Sequence, residues 1–241
     1  MSDAPIRRVF CALDTTDLGW AERMSTTLAP NLGGIKLGLE FYGAHGPAGV
    51  RRVAEVSGAR VFLDLKLHDI PNTVAGAVRA VAACRPYMLN VHAAGGRAML
   101  EAARDAAAEA AAKGGFERPR MLAVTVLTSL DDADLAEVGQ KGPALDQVKR
   151  LTDLTHRAGL DGVVCSAEES AALRALHGPD FLLVVPGIRL AAAGDDQKRV
   201  VTPAEAVRRG ASYIVIGRPI TQAKDPGRAV DDIARHMAEA A

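Results

Sequence analysis

Short apolar runs alternate with longer stretches of helical periodicity along the whole 241-residue sequence, and this alternation limits the possible folds more than any other feature. The apolar runs are rich in β-branched and aliphatic residues, which predicts eight strands, at 9–13, 34–37, 60–65, 87–91, 121–126, 162–165, 181–185 and 213–216. Each run is followed by a stretch with the spacing of an amphipathic helix, at 18–28, 44–56, 73–83, 97–113, 143–158, 167–176, 203–209 and 229–240.

Strands that are short, almost wholly apolar and each followed by a helix are typical of parallel strands buried on both faces. Eight such units close a barrel, and no Pro/Gly/Ser-rich linker separates them. We therefore predict an α/β protein with one (β/α)8 TIM barrel domain spanning residues 1–241. The alternative is an open, doubly wound sheet, which would usually have fewer strands and would expose two edges.

Composition excludes several classes of function. The 29 basic and 29 acidic residues cancel, so the broad positive field of a nucleic-acid-binding protein is not expected. The cysteines Cys11, Cys84 and Cys165 are widely spaced among apolar neighbours, which indicates reduced, buried thiols. The N-terminus lacks the apolar run of a signal peptide, and no later apolar run is long enough to span a membrane. We expect a cytoplasmic protein that binds neither nucleic acid nor membrane.

Two predicted connections are longer than the others, 127–142 after the fifth strand and 187–201 after the seventh. The second has glycines near its start and centre and small residues between. Long loops after barrel strands are candidate lids over an active site. The alternative is an ordinary surface excursion.

Polar residues interrupt or follow nearly every predicted strand at its C-terminal end, where barrel enzymes place their active sites. They are Asp14, Lys36, Asp64, Lys66, Asn90, His92, Thr128, Ser129, Arg189 and Arg218. Because side chains alternate along a strand, Asp64, Lys66 and possibly His68 are predicted to share one face, with Lys36 on the adjacent strand. Oppositely charged groups can satisfy one another there. The charges would either only stabilise the barrel or form a catalytic site, and their gathering at the catalytic end favours catalysis.

Single residues leave alternatives open. Asp14 either contacts a ligand or caps the first helix, because the sequence Asp14-Thr15-Thr16-Asp17 is rich in capping residues. Asn90 and His92 are more typical of satisfied core residues than of catalysts. Gly217 and Arg218 follow the eighth strand, where this fold often binds phosphate. With Arg189 and Gln197 from the preceding loop they predict a phosphomonoester site, unless Arg218 merely pairs with a carboxylate.

The segment from Asp64 to Thr73 reads DLKLHDIPNT and resembles the D-x-K-x-x-D-I-P-N-T signature of the orotidine 5′-phosphate decarboxylase family. Other segments are similar to that family in the same order: Ala12-Leu13-Asp14, Lys36-Leu37-Gly38, Asn90-Val91-His92-Ala93, Thr125-Val126-Leu127-Thr128-Ser129, Pro186-Gly187-Ile188-Arg189 and Ile216-Gly217-Arg218-Pro219. The resemblance covers the chain from about residue 9 to residue 218.

This resemblance implies conversion of orotidine 5′-monophosphate to uridine 5′-monophosphate and CO₂ in pyrimidine biosynthesis, with no metal or organic cofactor. It also implies a homodimer, and catalytic roles for Lys66, Asp64, Asp69 and Lys36. Lys66 would donate the proton, Asp64 would lie beside the departing carboxylate, and Asp69 would act in the other subunit's site. The implied substrate-binding residues are Asp14, Lys36, Ile70, Thr73, Thr128, Arg189, Gln197, Gly217 and Arg218, with Lys198 a less favoured alternative to Gln197.

Two other functions compete with this reading. Metal-dependent sugar-phosphate decarboxylases and lyases of the same barrel superfamily, such as 3-keto-gulonate 6-phosphate decarboxylase, are similar around D-x-K-x-x-D but would lack the Ile-Pro-Asn-Thr continuation. A catalytically inactive barrel that binds nucleotide for regulation is the other, and the intact Asp64, Lys66 and Asp69 argue against it.

Overall fold

A computed structural model describes residues 4–140, 142–189 and 201–239. Its eight strands follow one another around a closed barrel in sequence order, so the predicted eight-stranded (β/α)8 barrel is confirmed. The strands are β1 (Val9–Ala12), β2 (Gly34–Gly38), β3 (Val61–Leu67), β4 (Met88–His92), β5 (Arg120–Val124), β6 (Gly162–Val164), β7 (Leu182–Val185) and β8 (Tyr213–Ile216).

The helices follow the strands as the periodicity predicts, with two short helices that it does not predict. They are α1 (Leu18–Leu28), α2 (Leu39–Ser57), α3 (Pro71–Ala82), α4 (Arg97–Gly114), α5 (Asp132–Glu137), α6 (Ala144–Arg157), α7 (Ala167–His177), α8 (Pro203–Arg208), α9 (Arg218–Thr221) and α10 (Pro226–Glu239). Turns of 3₁₀ helix span Pro5–Arg8 and Ala93–Gly95. The long connection 127–142 is therefore not wholly a loop, because α5 lies within it.

Helix α2 begins five residues before the predicted start at residue 44, directly after β2. Gly46, with φ of 56°, breaks the helical geometry just before Pro47. Gly46 adopts this left-handed conformation readily, and Pro47 cannot donate the next helical hydrogen bond. Gly46 and Pro47 are poor helix formers, so the helical signal is weak at this end of α2.

The chain divides into two compact units, one of residues 1–64 and 185–241 and the other of residues 65–184. The single-domain assignment therefore stays a prediction. In the first unit, β1 pairs in parallel with β2 and β8. Its core includes the fully buried Phe10, Ile35 and Leu37, and the Phe10 ring meets the Tyr213 ring edge-on at 5.4 Å.

The second unit contains β4 to β7, with α3 packed against α4. Gly162 begins β6 opposite Leu182 of β7. A Cβ on Gly162 would lie 2.2 Å from the Leu182 carbonyl oxygen, so only glycine permits this approach of the two strands. No helix within the described ranges is long and apolar enough to cross a membrane.

Candidate active site

Lys36 joins two carboxylates at the C-terminal ends of strands in the first unit. Its Nζ lies 2.8 Å from Oδ1 of Asp14 and 3.6 Å from Oδ2 of Asp64. The side chains of Lys36 and Asp64 are each 12% exposed, whereas that of Asp14 is 57% exposed. A largely buried ammonium is therefore balanced by one buried carboxylate and one that faces solvent. The structure thus brings Lys36 of β2 together with Asp64 of β3, as expected of neighbouring strands, and adds Asp14 to the pair.

Gly38 makes room for this ion pair. The pairing of β2 with β3 sets Gly38 opposite Asp64, and a Cβ on Gly38 would lie 3.0 Å from the Lys36 Nζ and 3.3 Å from Oδ1 of Asp14. The absence of a side chain at this position thus leaves the ammonium its place between the carboxylates. Sequence reasoning assigned no role to Gly38, although a glycine two residues after a strand lysine was a visible signal.

Asp14 does not cap α1. Asp17 is the capping residue, because its Oδ1 accepts the Trp20 N–H at 2.9 Å. Thr15 supports the same turn, since its Oγ1 accepts the Asp17 N–H at 3.0 Å. The capping alternative for Asp14 is therefore wrong, and its carboxylate is engaged by Lys36 instead.

Lys66 lies two residues after Asp64, in the second unit, with a left-handed backbone (φ 50°). This conformation costs an L-residue roughly 1–2 kcal/mol and is concentrated at functional sites. Strict strand alternation requires extended backbone, so the predicted shared face of Asp64, Lys66 and His68 does not follow from strand geometry.

Asn90 of β4 contacts this unusual residue directly. Its Oδ1 accepts the backbone N–H of Lys66 at 2.8 Å, and the Asn90 side chain is fully buried. This agrees with the interpretation of Asn90 as a satisfied core residue, and it identifies the Lys66 backbone as one of its partners. His92, two residues further on, is half-buried, and its ring stacks on that of the exposed His68 at 5.5 Å.

Asp69, Ile70 and Thr73 form an exposed edge at the start of α3. Oδ1 of Asp69 accepts the N–H of Ile70 at 2.6 Å, and Pro71 opens the helix. All three residues are exposed, Ile70 to 66%. Thr128 is also exposed, in the turn between β5 and α5.

The predicted phosphate residues of the first unit follow two of its strands. Arg189 is exposed just after the buried Ile188, and Gly217 separates β8 from Arg218. Within the described residues, the exposed Arg218 side chain has no carboxylate partner, so nothing there supports the simple ion-pair alternative. Gln197 and Lys198, with most of the connection 187–201, lie outside the described residues.

All three cysteines are buried thiols that form no disulfide with one another, as predicted. Burial raises the pKa of the Cys11 thiol to about 12, and nearby Asp14 adds to the effect. Burial likewise raises the pKa of Cys165 to about 12. Neither thiol is a nucleophile at neutral pH.

Over the same described ranges, no group of three or more His, Cys, Asp or Glu residues is arranged to hold a metal ion.

Comparison with known proteins places this geometry in a family. Residues 7–233 match the model of the orotidine 5′-phosphate decarboxylase / HUMPS family. An orotidine 5′-phosphate decarboxylase of Rhodospirillum rubrum is 58% identical over 94% of this chain and 92% of the relative. One from Paramagnetospirillum magneticum is 52% identical over 96% of this chain and 99% of the relative.

A solved structure agrees with these relatives. The crystal structure of orotidine 5′-phosphate decarboxylase from Lactobacillus acidophilus is 36% identical, with a TM-score of 0.84 over 96% of this chain and 99% of that one. The same family is indicated by the barrel fold, by the charged residues at the strand ends and by the sequence match along nearly the whole chain. The chain belongs to the orotidine 5′-phosphate decarboxylase / HUMPS family.

Proposed function

We propose that this protein is a carboxy-lyase that converts orotidine 5′-monophosphate to uridine 5′-monophosphate and CO₂. The family match and the names of its relatives support this activity. The observation that supports it best is the ion-paired Lys36 between Asp14 and Asp64, with Lys66 two residues further along β3. The reaction would be a step of pyrimidine biosynthesis in the cytoplasm.

The chemistry explains why charged side chains are needed. Loss of CO₂ from C6 of the pyrimidine leaves an electron pair in an sp² orbital that no neighbouring carbonyl can take up by simple conjugation. Most decarboxylases accept such a pair on a cofactor that acts as an electron sink. Without one, the remaining means is a fixed positive charge placed where the negative charge develops, in a site closed to water.

In the proposed mechanism Lys66 supplies this charge and then transfers a proton from its Nζ to C6. Asp64 lies beside the departing carboxylate and raises the energy of the bound substrate relative to the transition state. No metal takes part. The left-handed backbone of Lys66 agrees with a catalytic role, because strained backbone is concentrated at functional sites.

The other side chains bind the nucleotide in this proposal. Lys36 and Asp14 contact the ribose, Ile70 and Thr73 complete that end of the site, and Thr128 lies near the base. The phosphate is bound by Arg189, Gln197, Gly217 and Arg218. The phosphate lies away from the bond that breaks, and its binding energy is expressed in the chemical step.

The proposed enzyme is a homodimer in which Asp69 acts in the partner's site. The exposure of Asp69, Ile70 and Thr73 in the single chain supports this arrangement. Asp69 would then help to hold the partner subunit's Lys66 charged and in position.

Loss of the orotidylate absorbance on mixing with purified protein tests the activity. We expect turnover by the wild type that EDTA does not reduce, and a rate for Lys66→Ala at least about 1,000-fold lower, because proton donation and charge stabilisation are both lost. Lys113→Ala, which removes an exposed lysine at the end of α4, is the control and should keep the wild-type rate. EDTA-sensitive turnover would favour a metal-dependent lyase, and wild-type protein that does not consume orotidylate would refute the proposal.

A further inference from the structure

The backbone of Lys66 is held by a side chain from the neighbouring strand. Its N–H donates to Oδ1 of Asn90 at 2.8 Å, and its φ is 50°. Arg85 is the other non-glycine residue with positive φ in the described part of the chain, and it lies in the turn between α3 and β4. Lys66 thus has a turn-like backbone within a strand.

Asn90 is an unexpected residue for its position. It lies in β4 between Leu89 and Val91, opposite Leu122 of β5, and all four side chains are fully buried. An apolar residue would fill such a position without the need for hydrogen bonds, whereas a buried amide must find partners. The bond to Lys66 gives the amide oxygen such a partner.

The geometry of the peptide explains what this bond can do. A hydrogen bond from a fixed acceptor sets the orientation of the peptide plane that carries the Lys66 N–H. The φ angle then sets the direction of the Cα–Cβ bond relative to that plane. A lysine stem is only four carbons long, so the direction of its Cα–Cβ bond limits the region that the ammonium can reach.

We propose that Asn90 is a positioning residue that holds Lys66 in its left-handed conformation and so directs the ammonium toward the reacting carbon. This inference rests on the proposed role of Lys66 as proton donor. In this role Asn90 acts through the Lys66 backbone and needs no contact with the substrate. Its loss should lower the rate of the chemical step and leave nucleotide binding nearly unchanged.

Two variants distinguish the loss of the hydrogen-bond acceptor at position 90 from a change in core packing there. Asn90→Leu keeps the approximate volume and removes the acceptor, whereas Asn90→Asp keeps an oxygen at the same position. We expect kcat for orotidine 5′-monophosphate to fall about 100-fold in Asn90→Leu, because a displacement of about 1 Å at a catalytic group has that effect. The kcat of Asn90→Asp should be about tenfold higher than that of Asn90→Leu. In both variants the Kd for uridine 5′-monophosphate should stay within about threefold of the wild-type value.

A matched control tests whether any buried polar group has the same effect. Thr152 of α6 is also fully buried in the second unit, and its Oγ1 donates to the Val148 carbonyl at 2.8 Å. Thr152→Val should lower the unfolding midpoint without changing kcat. Equal losses of kcat in Thr152→Val and Asn90→Leu would overturn the inference, as would wild-type kcat in Asn90→Leu.

The exchange rate of the Lys66 amide hydrogen reports on its hydrogen bond to Asn90 independently of catalysis. In protein labelled with ¹⁵N-lysine, the Lys66 signal can be assigned by its absence in Lys66→Arg. We expect this amide to exchange at least about tenfold faster in Asn90→Leu than in the wild type. Unchanged exchange would overturn the inference. If the wild type did not consume orotidylate, the proposed function would fail, and the exchange rates would still decide whether Asn90 holds Lys66.

Discussion

Lys36 is largely buried, and its two carboxylate partners make that burial tolerable. Removing one partner of a buried ion pair costs about 3–5 kcal/mol, because the other charge remains without compensation. Asp64 is the partner that shares its burial, while Asp14 lies mostly in solvent. We therefore expect Asp64 to matter more than Asp14 for the stability of the folded chain. Both carboxylates fix the position of the ammonium.

Gly38 offers a test of that position. In Gly38→Ala the new methyl group would meet the Lys36 Nζ at 3.0 Å, so the ammonium must move by a few tenths of an ångström. The backbone at Gly38 has φ of −102°, which alanine adopts without strain. We expect kcat/KM for orotidine 5′-monophosphate to fall about tenfold with little loss of stability.

The matched control is Gly43→Ala, which lies in α2 with nothing within 4 Å of the added Cβ. Steady-state kinetics of the two variants should differ. A kcat/KM for Gly38→Ala as high as that for Gly43→Ala would show that the space beside Lys36 is not needed.

Arg218 is the residue that tests the proposed phosphate site. It is exposed after β8, and a guanidinium gains most from two charge-assisted hydrogen bonds to a phosphate. In Arg218→Ala we expect kcat/KM to fall about 100-fold for orotidine 5′-monophosphate and less than about threefold for orotidine, which lacks the phosphate. Arg228→Ala, another exposed arginine in the same unit, is the control. Similar losses for both substrates in Arg218→Ala would contradict the assignment.

At the scale of elements, β6 depends on a residue without a side chain. Because a Cβ on Gly162 would lie 2.2 Å from the Leu182 carbonyl, Gly162→Ala must push β6 and β7 apart. We expect the free energy of unfolding to fall by about 1–3 kcal/mol, measured by urea denaturation. Gly76→Ala in the exposed part of α3 has open space and should raise it by up to about 1 kcal/mol. Equal effects of the two variants would show that strand spacing is not limiting.

The long, strongly periodic elements were predictable from sequence, and the short ones were not. Helix α1 has the predicted bounds, and so does β8, because each has a clear pattern bounded by polar or small residues. Helix α5 has six residues and was missed, since fewer than two turns give too little periodicity. Its Asp131 capping box was nevertheless visible in the sequence.

The same contrast applies to the candidate site. Lys36 and Asp64 lie in the neighbouring strands β2 and β3, near their C-terminal ends, so their meeting was predictable from the barrel rule. The left-handed backbone of Lys66 and its bond to Asn90 were not, because the two residues are 24 positions apart in the sequence and meet only in the folded chain. No local pattern reports such a contact.

At the scale of the whole molecule, the proposed dimer can be tested by complementation. Lys66→Ala and Asp69→Ala should each be inactive as homodimers. A mixed dimer would contain one site with an intact Lys66 from one chain and an intact Asp69 from the other. After random exchange of equal amounts, activity should return to about a quarter of the wild-type value.

Native mass spectrometry of differently tagged chains would establish that subunits have exchanged. Mixed dimers without any recovered activity would show that Asp69 serves its own chain. Recovery would also explain why Asp69 and Ile70 are exposed in the single chain.

The burial of all three cysteines has a practical consequence for the connection 187–201. Because the pKa of the Cys11 and Cys165 thiols is raised to about 12, these side chains will not react with maleimides near neutral pH. Cys84 is buried as well, so we expect the wild-type protein to take up little label. The rate at which a maleimide labels one cysteine introduced between residues 190 and 200, measured with and without nucleotide, would then test whether nucleotide changes access to that segment.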